Sequence, residues 1–195
     1  MKMAFVLFDG LTTLDVVGFY DAVTRLRVID PDTNVSWDFC ALTEWVTDDR
    51  GLTMKANRIQ PNLGEYDLVF VPGGFATRQL RFDDRFIGWL RTAENAPLLV
   101  SVCTGALLLG ACGFLAGKTA TTNPSAYDLL LPYCRVLAKK RIVKDGAVIT
   151  AGGVAASIDL GLAVAEHLTD TDTALKVQTL MDYPYYRPGL MFTAV

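Results

Sequence analysis

The sequence contains one histidine, His167, and its four cysteines, Cys40, Cys103, Cys112 and Cys134, form no C-x-x-C pair. Neither a zinc site nor a disulfide framework is supported. Amide hydrolysis by a cysteine–histidine pair is likewise disfavoured, because His167 falls near the end of a helical pattern, far along the chain from any strand end, and reads as a helix-terminal surface or packing group. No apolar run reaches the roughly 18 residues that span a bilayer. Met1 to Leu7 runs straight into Asp9-Gly10 without a signal-peptide cleavage pattern, so a cytoplasmic protein with reduced thiols and no membrane partner is expected. A net charge of −3 gives no basic footprint for nucleic acid. Glycine pairs such as Gly152-Gly153 make neither G-x-G-x-x-G nor a phosphate-binding loop, which removes the usual nucleotide signatures. Low-complexity tracts, linkers and internal repeats are also missing. With 195 residues, 51% hydrophobic and 20% charged, the chain is expected to form a single compact domain over residues 1–195.

What is present is organised around Leu98 to Gly110. An apolar, β-branched run stops at Cys103 and turns at once into a small-residue helical pattern, which places the cysteine at a sharp strand-to-helix joint. Unpaired N–H groups and the positive end of the helix dipole would face the sulfur and favour thiolate over thiol. The competing reading is a buried cysteine packed as a small hydrophobe.

Along the chain, Met3 to Phe8 reads as a buried strand closed by Asp9-Gly10, and Val16, Phe19, Tyr20, Val23 and Leu26 follow at helical spacing with Thr12 or Thr13 as a cap. Val35 to Leu42 is a second strand, and Leu52 to Ala56 an edge strand or hairpin arm. Leu68 to Val71 is a strand running into Pro72-Gly73-Gly74, and Asp83 to Glu94 an amphipathic helix. Lys118 to Thr122 reads as a short strand before a helix starting near Pro124-Ser125 and running toward Pro132 or Cys134. Arg141 to Val143 and Ala147 to Thr150 flank Asp145-Gly146 as a hairpin, and helices cover about Val154 to Leu168 and Asp172 to Met181. The aromatic segment Tyr183 to Pro188 is expected to pack on the body or across a dimer contact. Strands that alternate with helices and are apolar on both faces specify an α/β fold, a doubly wound, mostly parallel sheet covered by helices on both faces with a late hairpin.

In such a sheet the C-terminal strand ends converge on one crevice. Asp15, Gly73-Gly74 and Cys103-Thr104 all sit at strand ends. Backbone N–H groups of Gly73 or Gly74 and of Thr104 could stabilise developing negative charge, and Asp15 could take or give a proton. Asp15 could equally be a helix-start carboxylate complementing the dipole. Cys40, Cys112 and Cys134 lie in apolar patterns and read as packing residues.

The segments Phe8-Asp9-Gly10-Leu11-Thr12-Thr13-Leu14-Asp15-Val16-Val17-Gly18, Val71-Pro72-Gly73-Gly74, Ser101-Val102-Cys103-Thr104-Gly105-Ala106 and Asp145 to Gly153 resemble the ThiJ/PfpI superfamily over nearly the whole chain. This is a group of class I glutamine amidotransferase-like, flavodoxin-type folds, and the likeness is nearest to its isocyanide hydratase branch. The resemblance implies a homodimer and a cofactor-free reaction on a small apolar molecule. Cys103 would attack the terminal carbon of an isocyanide, Asp15 would handle protons, and water would release an N-substituted formamide from a thioimidate. Where hydratase-like sequences continue Ala-Thr-Thr with His-Trp, this chain has Asn123-Pro124, which alters the pocket wall. Regulators sharing the domain add a helix-turn-helix region for which 195 residues leave no room, so a stand-alone regulator is not expected. A glyoxalase- or deglycase-like activity on small aldehydes and a cysteine-based redox sensor stay open as alternatives.

Overall fold

The structure, a computed structural model, describes residues 1–194. Eight strands form one sheet in the order Met191–Thr193, Ile142–Asp145, Val148–Ala151, Leu98–Val102, Leu68–Val71, Lys2–Val6, Ser36–Ala41 and Arg58–Ile59. Every neighbouring pair is parallel except the hairpin of Ile142–Asp145 with Val148–Ala151. The central strands are apolar on both faces because both faces are covered. Met3, Phe5, Leu68, Phe70, Leu98, Val100 and Val102 point into one core with the helices Thr13–Thr24, Ala156–Leu168 and Thr171–Leu180. Ala4, Val6, Val69, Val71 and Leu99 point into the other, beneath Asp84–Leu90 and Gly105–Ala111. The chain leaves Lys2–Val6 toward one edge of the sheet and Leu68–Val71 toward the other, so the C-terminal ends of these two strands flank the crevice where ligands bind in open α/β sheets.

The sequence-derived elements shift in informative places. Leu52 to Ala56 becomes the arm Thr53–Lys55 of a separate hairpin with Trp45–Thr47. The strand expected over Lys118 to Thr122 shrinks to Thr119–Ala120, which pairs with Val136–Leu137 outside the main sheet, because Thr121 spends its N–H on Thr150 Oγ1. The helix expected from Pro124 is three short pieces, Pro124–Ala126, Tyr127–Leu130 and Leu131–Tyr133, the last carrying Pro132. Neither Thr12 nor Thr13 caps the first helix: their hydroxyls donate instead to Asp49 and Asp48. Edge strand Met191–Thr193 had no periodic signal at all, being only three residues long. The aromatic segment does pack on the body, where Tyr186 is buried with its hydroxyl on Glu166, while Tyr185 faces outward. Among the described residues no helix is long and apolar enough to cross a membrane.

Helices Thr13–Thr24 and Ala156–Leu168 cross closely, and glycine makes the crossing possible. A Cβ on Gly161 would lie 2.6 Å from Ala22 Cβ and 2.9 Å from the Phe19 carbonyl oxygen, and one on Gly18 would collide with Ser157 Oγ. Ser157 in turn donates to the Leu14 carbonyl at 3.0 Å, immediately before Asp15. Beneath the crossing, the Phe19 and Phe70 rings stack with centroids 4.1 Å apart. Gly161→Ala would gain about 1 kcal/mol of helix propensity in isolation. Here the backbone oxygen of Phe19 cannot yield, so the variant is expected to lose about 1–3 kcal/mol in urea unfolding. An equal or higher urea midpoint would show that the helices do not need this approach.

Candidate active site

Leu98–Val102 is buried throughout and delivers Cys103 to the sheet's C-terminal edge. Cys103 takes a left-handed backbone conformation, φ +54°, which costs a non-glycine residue on the order of 1 kcal/mol. The surroundings hold it there: the Cys103 N–H donates to the carbonyls of Ala151 at 3.0 Å and Gly152 at 2.9 Å, and Thr122 Oγ1 donates to the Cys103 carbonyl at 2.7 Å. At the next turn Gly105 lets Gly105–Ala111 start against the end of the neighbouring strand, since a Cβ would collide with the Val71 carbonyl.

Three strand ends meet at Gly73. A Cβ there would lie 2.6 Å from Thr104 N, 2.7 Å from Cys103 Cβ and 2.8 Å from Asp15 Oδ2, so only glycine allows the three to share this space. The Gly73 N–H donates to Asp15 Oδ2 at 2.9 Å. Gly74, at φ +147°, donates its N–H to Thr104 Oγ1 at 3.1 Å, and Thr104 Oγ1 donates to the Gly74 carbonyl at 2.9 Å. Both glycine N–H groups proposed as oxyanion donors are thus committed inside the site. Their present work is to fix Asp15 and Thr104, and the Thr104 N–H is the one of the three that faces the sulfur. Asp15 is fully buried, and its Oδ1 has no hydrogen-bond partner among the described residues.

Two contacts lay beyond the residues assigned from sequence. Asn123, noted there only as a wall position, donates from Nδ2 to Cys103 Sγ at 3.5 Å. Gly153 lies against both: its Cβ would fall 2.7 Å from Asn123 Nδ2 and 2.7 Å from Sγ. The available signal was the Thr122-Asn123-Pro124 run after a buried pair of residues, which marks a polar side chain held at a turn. His167 is exposed in the last turn of Ala156–Leu168, about 16 Å along that helix from its start beside the elbow. Of the other thiols, Cys40 and Cys112 are buried and Cys134 half-buried.

The DJ-1/PfpI family profile matches residues 1–167. The chain belongs to the DJ-1/PfpI family. It is 36% identical over 184 residues to the isonitrile hydratase of Pseudomonas putida, covering 94% of this chain and 78% of that protein. It is 28% identical over 186 residues to protein DJ-1alpha of Drosophila melanogaster, covering 92% and 76%. A solved ThiJ/PfpI family protein from Pseudomonas syringae superposes with a TM-score of 0.86 at 28% identity, over 96% of this chain and 76% of that one. The oxidized DJ-1 of Toxoplasma gondii shares the fold, with a TM-score of 0.78 at 21% identity over 94% and 99%.

In this DJ-1/PfpI chain the electrostatics of the elbow run against the helix-dipole expectation. Burial pushes the Cys103 thiol up to about 11, the Asp15 charge pushes the same way, and the Thr104 N–H, the Asn123 amide and the Thr104 hydroxyl only partly oppose them. A helix of seven residues beside a sulfur 6% exposed does not offset desolvation next to a carboxylate. Asp15 itself is raised to about 7 by burial, assisted by the charge of Asp49 and opposed by the Gly73 N–H and the Cys103 thiol. Burial thus favours the protonated form of both groups, the thiol of Cys103 and the carboxyl of Asp15.

A carboxyl raised on folding is stabilising while protonated, and that contribution is lost as pH climbs from the ordinary carboxylate range through about 7. Asp15→Asn keeps an acceptor for the Gly73 N–H and removes the buried charge. Its stability advantage over wild type is expected to grow from pH 4 to pH 8, by up to about 4 kcal/mol. Urea midpoints at the two pH values test this; an equal difference at both would mean that Asp15 ionises as an ordinary carboxylate.

Proposed function

We propose that this chain is an isonitrile hydratase-type enzyme that adds water to a small, largely apolar isocyanide. The observation that carries the reading is the buried Asp15–Cys103 pair held at Gly73, with the one imidazole of the chain at the far end of a helix. An isocyanide suits such a pair because its terminal carbon takes both the nucleophile and the proton, and no amine has to be expelled. The 36% identity to an isonitrile hydratase over most of the chain supports the same choice.

The Asp15 carboxylate accepts the Cys103 proton as sulfur bonds to the terminal carbon, and Oδ1 returns that proton to the same carbon, giving R–N=CH–S–Cys103. Water then adds across the C=N bond, oxygen to carbon and a proton to nitrogen. The hydroxyl proton passes through Asp15 to sulfur as the C–S bond breaks, leaving R–NH–CHO and the thiol. Both glycines serve as positioning groups, the Thr104 N–H faces the sulfur, and the chemistry needs no metal or organic cofactor. The working unit we assign is a cytoplasmic homodimer, after the family resemblance.

Incubation with cyclohexyl isocyanide is expected to yield N-cyclohexylformamide, with no turnover by Cys103→Ala. Asp15→Asn should lower kcat by about 10²- to 10⁴-fold. In the wild type kcat/KM should rise with pH through about 7, as Asp15 becomes able to accept the thiol proton. Methylglyoxal consumption without isocyanide turnover would overturn the assignment in favour of aldehyde chemistry.

A further inference from the structure

An amide, that of Asn123, lies within hydrogen-bond distance of the Cys103 sulfur. Asn123 stands at the start of the short helix Pro124–Ala126, its backbone extended at φ −56°, ψ 134°, as a residue before proline must be. Pro124 has no N–H, so the first free donor of that turn is Ser125 N, which gives its hydrogen to Asn123 Oδ1 at 3.0 Å. The Ala126 N–H closes the turn on the Asn123 carbonyl at 2.8 Å. With the oxygen end engaged, the amide orientation is decided, and Nδ2 is turned toward Cys103 Sγ at 3.5 Å. The preceding residue ties the same segment to the elbow through Thr122 Oγ1 and the Cys103 carbonyl. Gly153 leaves room for the contact, since a side chain there would displace both atoms.

We propose that Asn123 is a catalytic residue whose Nδ2–H stabilises the negative charge on Cys103 Sγ as the thiol proton leaves and again as the carbon–sulfur bond breaks. This role rests on Cys103 being the nucleophile of the reaction above. Without the donor, the charge that builds on the buried sulfur as its proton passes to Asp15 would have only Thr104 to stabilise it. Thr104 supplies compensation through its N–H and hydroxyl, and Asn123 adds a further donor from a separate chain segment. An amide neither gains nor loses a proton in the working range, so it donates equally at every pH. Among the described residues, Asp15 is the charged group that acts on the Cys103 thiol.

The pH dependence of Cys103 alkylation by iodoacetamide, followed by peptide mass spectrometry, tests the inference without any substrate. Asn123→Asp keeps an oxygen for the Ser125 N–H and replaces the donor with an acceptor, while Asn123→Ser keeps a capping oxygen on a shorter side chain and removes the amide N–H. Either folded variant is expected to move the alkylation midpoint upward by about one pH unit. The rate at pH 8 should fall about tenfold. Isocyanide turnover should lose kcat with KM held within about twofold. If Asn123→Asp fails to unfold cooperatively, Asn123→Ser decides. A folded variant that alkylates along the wild-type profile overturns the proposal. A shifted profile in a protein whose wild type leaves isocyanides untouched would sink the hydratase reading and keep the role of Asn123.

Discussion

Asp15 Oδ2 accepts the Gly73 N–H in a buried site, and the rest of the architecture keeps that carboxyl beside a thiol. A lone buried carboxyl with one backbone donor is expensive to ionise. It stays in place because its helix cannot move away. Gly18 and Gly161 bring Thr13–Thr24 and Ala156–Leu168 into direct contact, Ser157 holds the Leu14 carbonyl, and Phe19 stacks on Phe70 from the central strand. Gly73 then joins the first strand's helix to the elbow through a volume too small for any side chain. The same two core layers that stabilise the fold thus fix the distance between acid and sulfur.

Low solvent access gives this pair its chemical character. In water Asp15 would be charged and Cys103 neutral, with little interaction between them. In the pocket both groups hold their proton more tightly, Asp15 up to about 7 and Cys103 up to about 11. Between those values the pair carries one proton, on sulfur, with an acceptor alongside. That state suits the thiol addition proposed for this chain, in which the proton is relayed over a short path. Neutral donors, the Thr104 N–H and the Asn123 amide, stabilise charge on sulfur without supplying a competing proton.

Much of this was legible in the sequence, for identifiable reasons. Apolar runs at Leu68 to Val71 and Leu98 to Val102 mark strands covered on both faces, and the strand-to-turn junctions at Asp15, Gly73 and Cys103 mark one end of a parallel sheet. Convergence of those junctions at Gly73 follows from topology. The direction of the Cys103 shift did not, because a helix start in sequence carries no information on how deeply the sulfur is buried or which charge faces it. Donor commitments were equally hidden: Gly73 and Gly74 looked free until Asp15 and Thr104 Oγ1 were seen to occupy them. Asn123 reaches the sulfur through a turn twenty residues further on, and short pieces such as Thr119–Ala120 and Met191–Thr193 are set by tertiary pairing rather than by periodicity.

Burial beside the Cys103 sulfur raises the Asp15 carboxyl to about 7. The most direct measurement is the chemical shift of the Asp15 carboxyl carbon in protein labelled with ¹³C at aspartate, assigned by its loss in Asp15→Asn and followed from pH 3 to pH 9. A midpoint at about 7 agrees with the account. A midpoint in the ordinary carboxylate range, near 4, would contradict it.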